Sequence, residues 1–370
     1  MHLNIKVPSH TTVLNWTKKQ SIGHFHDNEF YKQEKWVLIV DESIQFGNKK
    51  LLLVLAVPES ACEKFKAITY RDLTPLILKV SASWKSEDIA LQIPEHIDLE
   101  QIAYCISDNG SNLTCAFHSL HLKHIMDVNH QFSLIIKSVF ENNDLFNSYT
   151  KDLSLFRAQK SLSKVARTVS PNQRIMSRFM NLTPLFEWGM KMITLLDKHQ
   201  LTQEEKTALS FLESYRAFIL DTYQILMRLN SIQKLLKNNG FNAKNAKEAM
   251  SLFSDMNSDN SLKIKEQLKH YFADLSSKTE ENKTICCSSD IIESCFGRYK
   301  EIVKGNKSVG ISDLCLCIAA MLGENSLDKT KSTMETINMK QLKEWRTKNI
   351  SKTLFAEKRE LTKKWNEFIC

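Results

Sequence analysis

Glycine and proline are scarce in this chain of 370 residues, at 9 and 6. So few turn-formers argue against an all-β fold with frequent tight turns and against a disordered chain. No apolar run approaches the ~20 residues that span a bilayer as a helix. The opening Met1-His2-Leu3-Asn4-Ile5-Lys6 has no secretory-leader core. The nine cysteines contain no CxxC pair; Cys286 and Cys287 are adjacent, and Cys315-x-Cys317 is too tight for the usual zinc spacing. They read as reduced thiols of a cytosolic protein, mostly core filler. A Gly-rich phosphate loop, an HExxH pair, internal repeats and low-complexity tracts are all missing. What remains is an ordinary globular composition, 42% hydrophobic and 25% charged, long enough for one large domain or two to three smaller ones. The net charge of +8 permits a polyanionic partner without demanding one.

Trp36-Val37-Leu38-Ile39-Val40-Asp41 is a continuous apolar run ending on a carboxylate, which predicts a strand buried on both faces with Asp41 at the sheet's rim. Two further buried strands are expected at 50–57, after a Gly47-Asn48 turn, and at 74–83. A helix follows over 85–93. Ile102–Ser107 repeats the design of the first strand and ends at Asp108, with Asp108-Asn109-Gly110-Ser111-Asn112 turning into a short helix. A strand at 124–127 and a helix at 130–140 complete the series. This order is that of a ribonuclease-H-like mixed sheet, in which the first and fourth strands are neighbours, so that Asp41 and Asp108 would face each other.

Strand signals then nearly vanish. Helical spacing covers 145–165, 174–199, 203–236, 243–253 and 261–275, a block of about 140 residues. Its basic residues Lys160, Lys164, Arg167, Arg174 and Arg178 read as a solvated helix face or a nucleic-acid track. Trp188 reads as core. Ser288-Ser289-Asp290 is expected to cap a helix running through Glu293 to about Val303, with Asp290 as capping residue. A helix over 311–321 and a Lys-rich C-terminal helix with Trp345 and Trp365 follow. At the other end, Val7 to Lys19 reads as a helix capped by Ser9. It is either a small amphipathic docking helix or a segment like the recognition helix of a helix-turn-helix, with His10, Thr11 and Asn15 able to reach base edges.

Three carboxylates on two strands and a helix suit a site for two divalent ions about 4 Å apart, the arrangement that holds both oxygens of an in-line phosphoryl displacement. Asp41 would bridge, Asp108 would complete one ion and Glu293 the other. Lys300 lies seven residues after Glu293, about two turns along the same helix face, where it could neutralise a phosphate. Glu42 should point to the opposite face of its strand. Asp127 reads as a cap of the helix after it.

Strand-Asp41, strand-Ile-Ser-Asp108-Asn-Gly, a long helical insertion and then Ser-Ser-Asp-Ile-Ile-Glu293-Ser-Cys-Phe-Gly-Arg298-Tyr-Lys300 together resemble a DDE transposase of a bacterial insertion sequence, across roughly residues 30–325. The resemblance implies two Mg2+ ions (Mn2+ can substitute) held by Asp41, Asp108 and Glu293. It also implies cleavage of transposon ends followed by strand transfer, double-stranded DNA as partner with Arg298 and Lys300 on it, and a homodimer or higher oligomer on DNA. A similar Asp-x-x-His in some relatives implies that Asp127 with His130 supports the site or contacts DNA, beside the reading of Asp127 as a cap. The location it implies is the bacterial cytoplasm, at the nucleoid, with no membrane association. The expected division is a helix-turn-helix remnant at 1–28, catalytic core at 29–145 and 286–325, an all-helical insertion at 146–285 and a basic helical tail at 326–370. An N-terminally shortened chain is part of that expectation. The alternatives are a stand-alone nuclease of the same fold and a decayed or domesticated transposase that only binds DNA or a partner.

Overall fold

A computed structural model describes residues 7–25, 35–46, 49–63, 67–173, 178–304, 311–350 and 354–369. The chain forms two compact units, Met1–Asp127 with Cys287–Cys370, and Val128–Cys286.

The first unit begins with α1 (His10–Phe25), β1 (Trp36–Phe46), β2 (Lys49–Pro58), α2 (Glu59–Cys62), β3 (Thr74–Ser81), α3 (Ser86–Gln92), β4 (Ile102–Ser107), α4 (Ser111–Ser119) and β5 (His124–Met126). The strands form one mixed sheet in the order β3-β2-β1-β4-β5. The β1–β2 and β2–β3 pairs are antiparallel; β1–β4 and β4–β5 are parallel. The apolar runs are buried on both faces as expected: Val37 to Val40 and Leu51 to Val57 are all fully inaccessible. Even-numbered residues of β1 and β2, including Leu38, Val40, Leu52 and Val54, pack with Ile89 of α3 and Leu113 and Phe117 of α4 in one cluster. Burying each such side chain contributes about 1.5–3 kcal/mol. The Gly47-Asn48 turn lies outside the described residues.

One expectation about β1 needs correction. Asp41 does not end the strand, because hairpin pairing with β2 carries β1 on to Phe46. Asp41 sits where two ladders change. The parallel register with β4 runs only to Ile39 opposite Ile106, and the β2 register shifts between Asp41 and Ile44. Such irregularities re-aim a side chain.

The second unit contains α5 (Val128–Phe140), α6 (Asp144–Lys160), α7 (Thr183–Asp197), α8 (Gln203–Leu209), α9 (Arg216–Asn239), α10 (Ala243–Ser251) and α11 (Asp259–Lys278). Among its described residues the only β pairing is an isolated bridge between Phe241 and Ile285. Helix α5 groups here rather than with the sheet, since it packs on α9 and α11, with Phe132 edge-on to Tyr271. The stretch 203–236 is not one helix. At Ser210–Tyr215 it tightens to a 3₁₀ segment, where the hydroxyls of Ser210 and Ser214 donate back to the carbonyls of Thr207 and Phe211. The helix expected from 174 starts instead at Thr183, with Pro184 in its first turn; residues 174–177 lie outside the described set. Trp188 is buried, as expected.

The chain returns to the first unit with α12 (Asp290–Val303), α13 (Leu316–Ala320), α14 (Leu327–Thr336), α15 (Met339–Asn349) and α16 (Leu354–Ile369). The single Lys-rich C-terminal helix is thus two, with Trp345 on α15 and Trp365 on α16. Ser9 caps α1 as expected, its Oγ accepting the Thr12 N–H at 3.2 Å. The C-terminal half of α1 packs on α13 and α14. Lys18 pairs with Asp313 at 3.0 Å, and Gln20 and His24 both reach the Asn325 side-chain oxygen. Docking therefore accounts for that half of the helix. His10 and Thr11 are exposed at its other end, and Asn15 is half-buried. Among the described residues no helix is long and apolar enough to cross a membrane.

Candidate active site

The parallel β1–β4 ladder ends at Ile39 opposite Ile106, and Asp41 and Asp108 each follow two residues later along the chain. Both are half-buried. Asp108 is oriented by its own turn. Its Oδ1 accepts the Gly110 N–H at 2.9 Å, the Asx geometry that opens α4. A Cβ on residue 110 would sit 2.9 Å from that same oxygen, so a larger residue there would shift the Asp108 side chain. Ser107, fully buried, donates to the Asp108 carbonyl at 2.8 Å and lies 2.9 Å from His124 Nε2.

Glu42 points to the α4 side. It accepts from Asn112 Nδ2 of α4 at 3.3 Å and lies 3.6 Å from Lys50 Nζ. Its role is to tie β1 to α4 and β2.

Helix α12 packs against β1 and shares no residue with the α3–α4 cluster. Its buried side is Ile292, Cys295, Phe296, Tyr299 and Val303. Glu293 and Lys300 are exposed on the other side, as the spacing predicts. Burial pushes the Cys295 thiol up to about 12, which leaves it an inert filler. Arg298 does not project freely: its guanidinium lies 5.0 Å from the Tyr70 ring centroid, and Tyr70 Oη is 2.5 Å from Ser294 Oγ.

The start of α12 corrects the capping expectation. Ser289 occupies the cap position but makes no side-chain cap bond, and Asp290 is the first helical residue. Ser289 instead gives both its N–H, at 2.6 Å, and its hydroxyl, at 2.9 Å, to Asp127 Oδ2. Asp127 is fully buried, and its own N–H donates to the Ser107 carbonyl at 2.9 Å. Asp127 therefore fixes the first residue before the Glu293 helix to the end of β4, beside Asp108. A carboxylate accepting at a helix N-terminus is also favoured by the helix dipole. Sequence reasoning named Asp127 and Ser289 but not their pairing, and it missed Tyr70, which lies against Arg298 and Ser294. A serine before a helix looks like a cap whichever way its hydroxyl turns, and Tyr70 carries no local signal.

His130 is half-exposed on α5, in the second unit. Among the described residues no group of three or more His, Cys, Asp or Glu side chains converges as a metal-holding set. The backbone thus brings Asp41 and Asp108 to the end of the ladder between two adjacent strands and α12 to β1, while the three carboxyl groups are not drawn together. The donor set, hard carboxylate oxygens with one aspartate oriented by a backbone N–H, fits Mg2+ or Mn2+.

No protein-family model matches the chain, and no curated protein matches it.

Proposed function

We propose that this protein is a DNA transposase of the DDE type, with a ribonuclease-H-like core, cutting DNA at transposon ends and joining the new 3′ end to target DNA. The observation that supports the reading is that Asp41 and Asp108 each follow, by two residues, the end of the ladder between the adjacent parallel strands β1 and β4, with the Glu293 helix packed against β1. The strand order β3-β2-β1-β4-β5 supports the ribonuclease-H-like core.

In this reading Asp41, Asp108 and Glu293 hold two divalent ions, which when bound neutralise charge developing on the phosphoryl oxygens. Asp108 is oriented by the Gly110 N–H. Glu293 reaches from a helix whose first turn is anchored through Asp127. Lys300 contacts a phosphate of the bound strand as a point charge and orients it. Exposed His10 and Thr11, with Asn15, give α1 a polar end suited to DNA. Homodimerisation on DNA and a bacterial, nucleoid-associated location belong to the same proposal.

The test is nicking of duplex DNA that contains the sequences flanking the coding region, with Mg2+ or Mn2+ and with chelator. Asp41→Asn, Asp108→Asn and Glu293→Gln are each expected to abolish metal-dependent nicking while leaving the fold and DNA binding in place. Nicking at full rate by all three variants would overturn the reading.

A further inference from the structure

The second unit carries a cleft of about 690 Å³ between α6 and the residues Asn172, Gln173 and Arg178 that follow it in the chain. Asn147, Lys151, Ser154, Ala158 and Ser161 line it at spacings of four, three, four and three, so a single face of α6 forms one wall. That stripe runs for about 21 Å at 1.5 Å per residue. Three cations line the cleft, Lys151, Arg157 and Arg178, and no carboxylate does. From residue 151 to residue 178 the only carboxylate in the sequence is Asp152, and it accepts the Tyr215 hydroxyl at 2.6 Å.

The basic residues of this region divide into two groups. Arg167 is committed to the protein, gripping Glu205 in a two-pronged pair at 2.6 and 2.9 Å, and Lys164 lies 3.8 Å from Glu204. Arg157 and Arg178 have no acidic partner among the described residues. Arg157 donates to the Ser170 carbonyl. Arg178 donates to Thr150 Oγ1 at 2.6 Å and lies 4.5 Å over the Phe146 ring. Each guanidinium is half-buried and fixed by a neutral group, with its remaining N–H donors unspent on the protein. Burial draws the Arg178 guanidinium below its ordinary pKa range, the direction expected of a cation lacking a counter-charge. Preorganised, partly desolvated cations in a polar cleft are an anion site.

We propose that this cleft is a second DNA contact, in which Lys151, Arg157 and Arg178 hold the sugar-phosphate backbone of duplex DNA. The length of the stripe favours a polymer over a single phosphate, since duplex phosphates advance about 3.4 Å per strand and 21 Å of helix faces about six of them. The absence of aromatic side chains among the described lining residues favours duplex over single strand, because no platform is there for bases to stack on. Contacts from Lys151, Arg157 and Arg178 to the backbone carry no sequence information in themselves. The inference rests on the transposase reading for its biological partner but not for its geometry.

The full-length chain is titrated with a random-sequence duplex in chelator over a range of salt. Lys151→Gln combined with Arg157→Gln is expected to weaken binding about tenfold or more and to lower the salt slope by about 0.9 for each phosphate that is no longer neutralised. Lys164→Gln removes a positive charge outside the cleft and is expected to change neither. Lys151→Glu alone, on an exposed side chain that leaves both arginines in place, is expected to weaken binding likewise; melting curves monitored by circular dichroism verify that each variant is folded. If wild type binds and the folded cleft variants bind with the same affinity and slope, the cleft proposal falls while the transposase reading stands. Cleft-dependent binding that is tighter for single strands than for duplex would overturn the assignment to duplex. No duplex binding by wild type or by the Asp41→Asn chain would overturn both. Loss of binding in cleft variants beside unimpaired binding by Asp41→Asn supports the cleft whatever the nicking assay gives.

Discussion

Single residues decide how the start of the Glu293 helix is held. Asp127 is a buried carboxylate with two donors from Ser289 on one oxygen. Asp127→Asn is expected to cost roughly 1.5–3 kcal/mol, the range for a hydrogen bond to a charged group, and Ser289→Ala less, since the backbone donor survives. Urea midpoints measure both; unchanged midpoints in both variants would remove this bond as the anchor of α12. Lys300→Ala should leave the fold intact and lower the salt slope of cut-site DNA binding by about one, with Lys300→Arg recovering part of the affinity. An unaltered slope would make its seven-residue spacing from Glu293 a coincidence. At this scale the sequence was informative where a residue ends an apolar run, as Asp41 and Asp108 do. It was silent where a role depends on which distant partner a hydroxyl finds, as at Ser289, or on a ring arriving from another segment, as Tyr70 does under Arg298.

Elements show the same division for a different reason. Unbroken apolar runs marked the buried strands of the sheet, and the alternation of side chains along a strand sent Glu42 to the α4 side. Helical periodicity marked the second unit but not its breaks. Ser210 and Ser214 tighten a helix by bonding their own backbone, and the apolar pattern continues across them unaltered. Helix α8 is fastened at its start by Glu205, which accepts from Arg167 and from the Thr202 N–H at 2.9 Å. The Arg167 side chain, followed by the Thr202 N–H, draws the Glu205 carboxyl down from an ordinary 4.5 to about 2. A depressed carboxylate adds stability that is complete above pH ~4.5 and is lost as pH falls through about 2. Glu205→Gln should therefore flatten the acid side of the stability profile between those limits. Equal slopes for wild type and variant between pH 5 and 2.5, read from denaturant midpoints, would rule out the pair as a contributor.

Across the whole molecule, the helical unit leaves the sheet unit after Asp127 and the chain returns at Cys287, two residues before the serine that Asp127 binds. A chain in which residues 128–286 are replaced by a short Gly-Ser linker is expected to keep the five-stranded sheet and to unfold in one cooperative step. Loss of that cooperative transition would show that the first unit depends on the second. The long helical run between strand and Glu293 was visible in the sequence; the closeness of its two ends was not, because it is a contact across 162 positions. That separation also sets an order of assembly. At about 5–20 residues per second of synthesis, some 8–30 s pass between the emergence of Asp127 and that of Ser289. During that interval every helix of the second unit has been made, whereas the sheet still lacks α12. The growing chain therefore completes its insertion before its core, and the sheet receives α12 only after the whole second unit has been made.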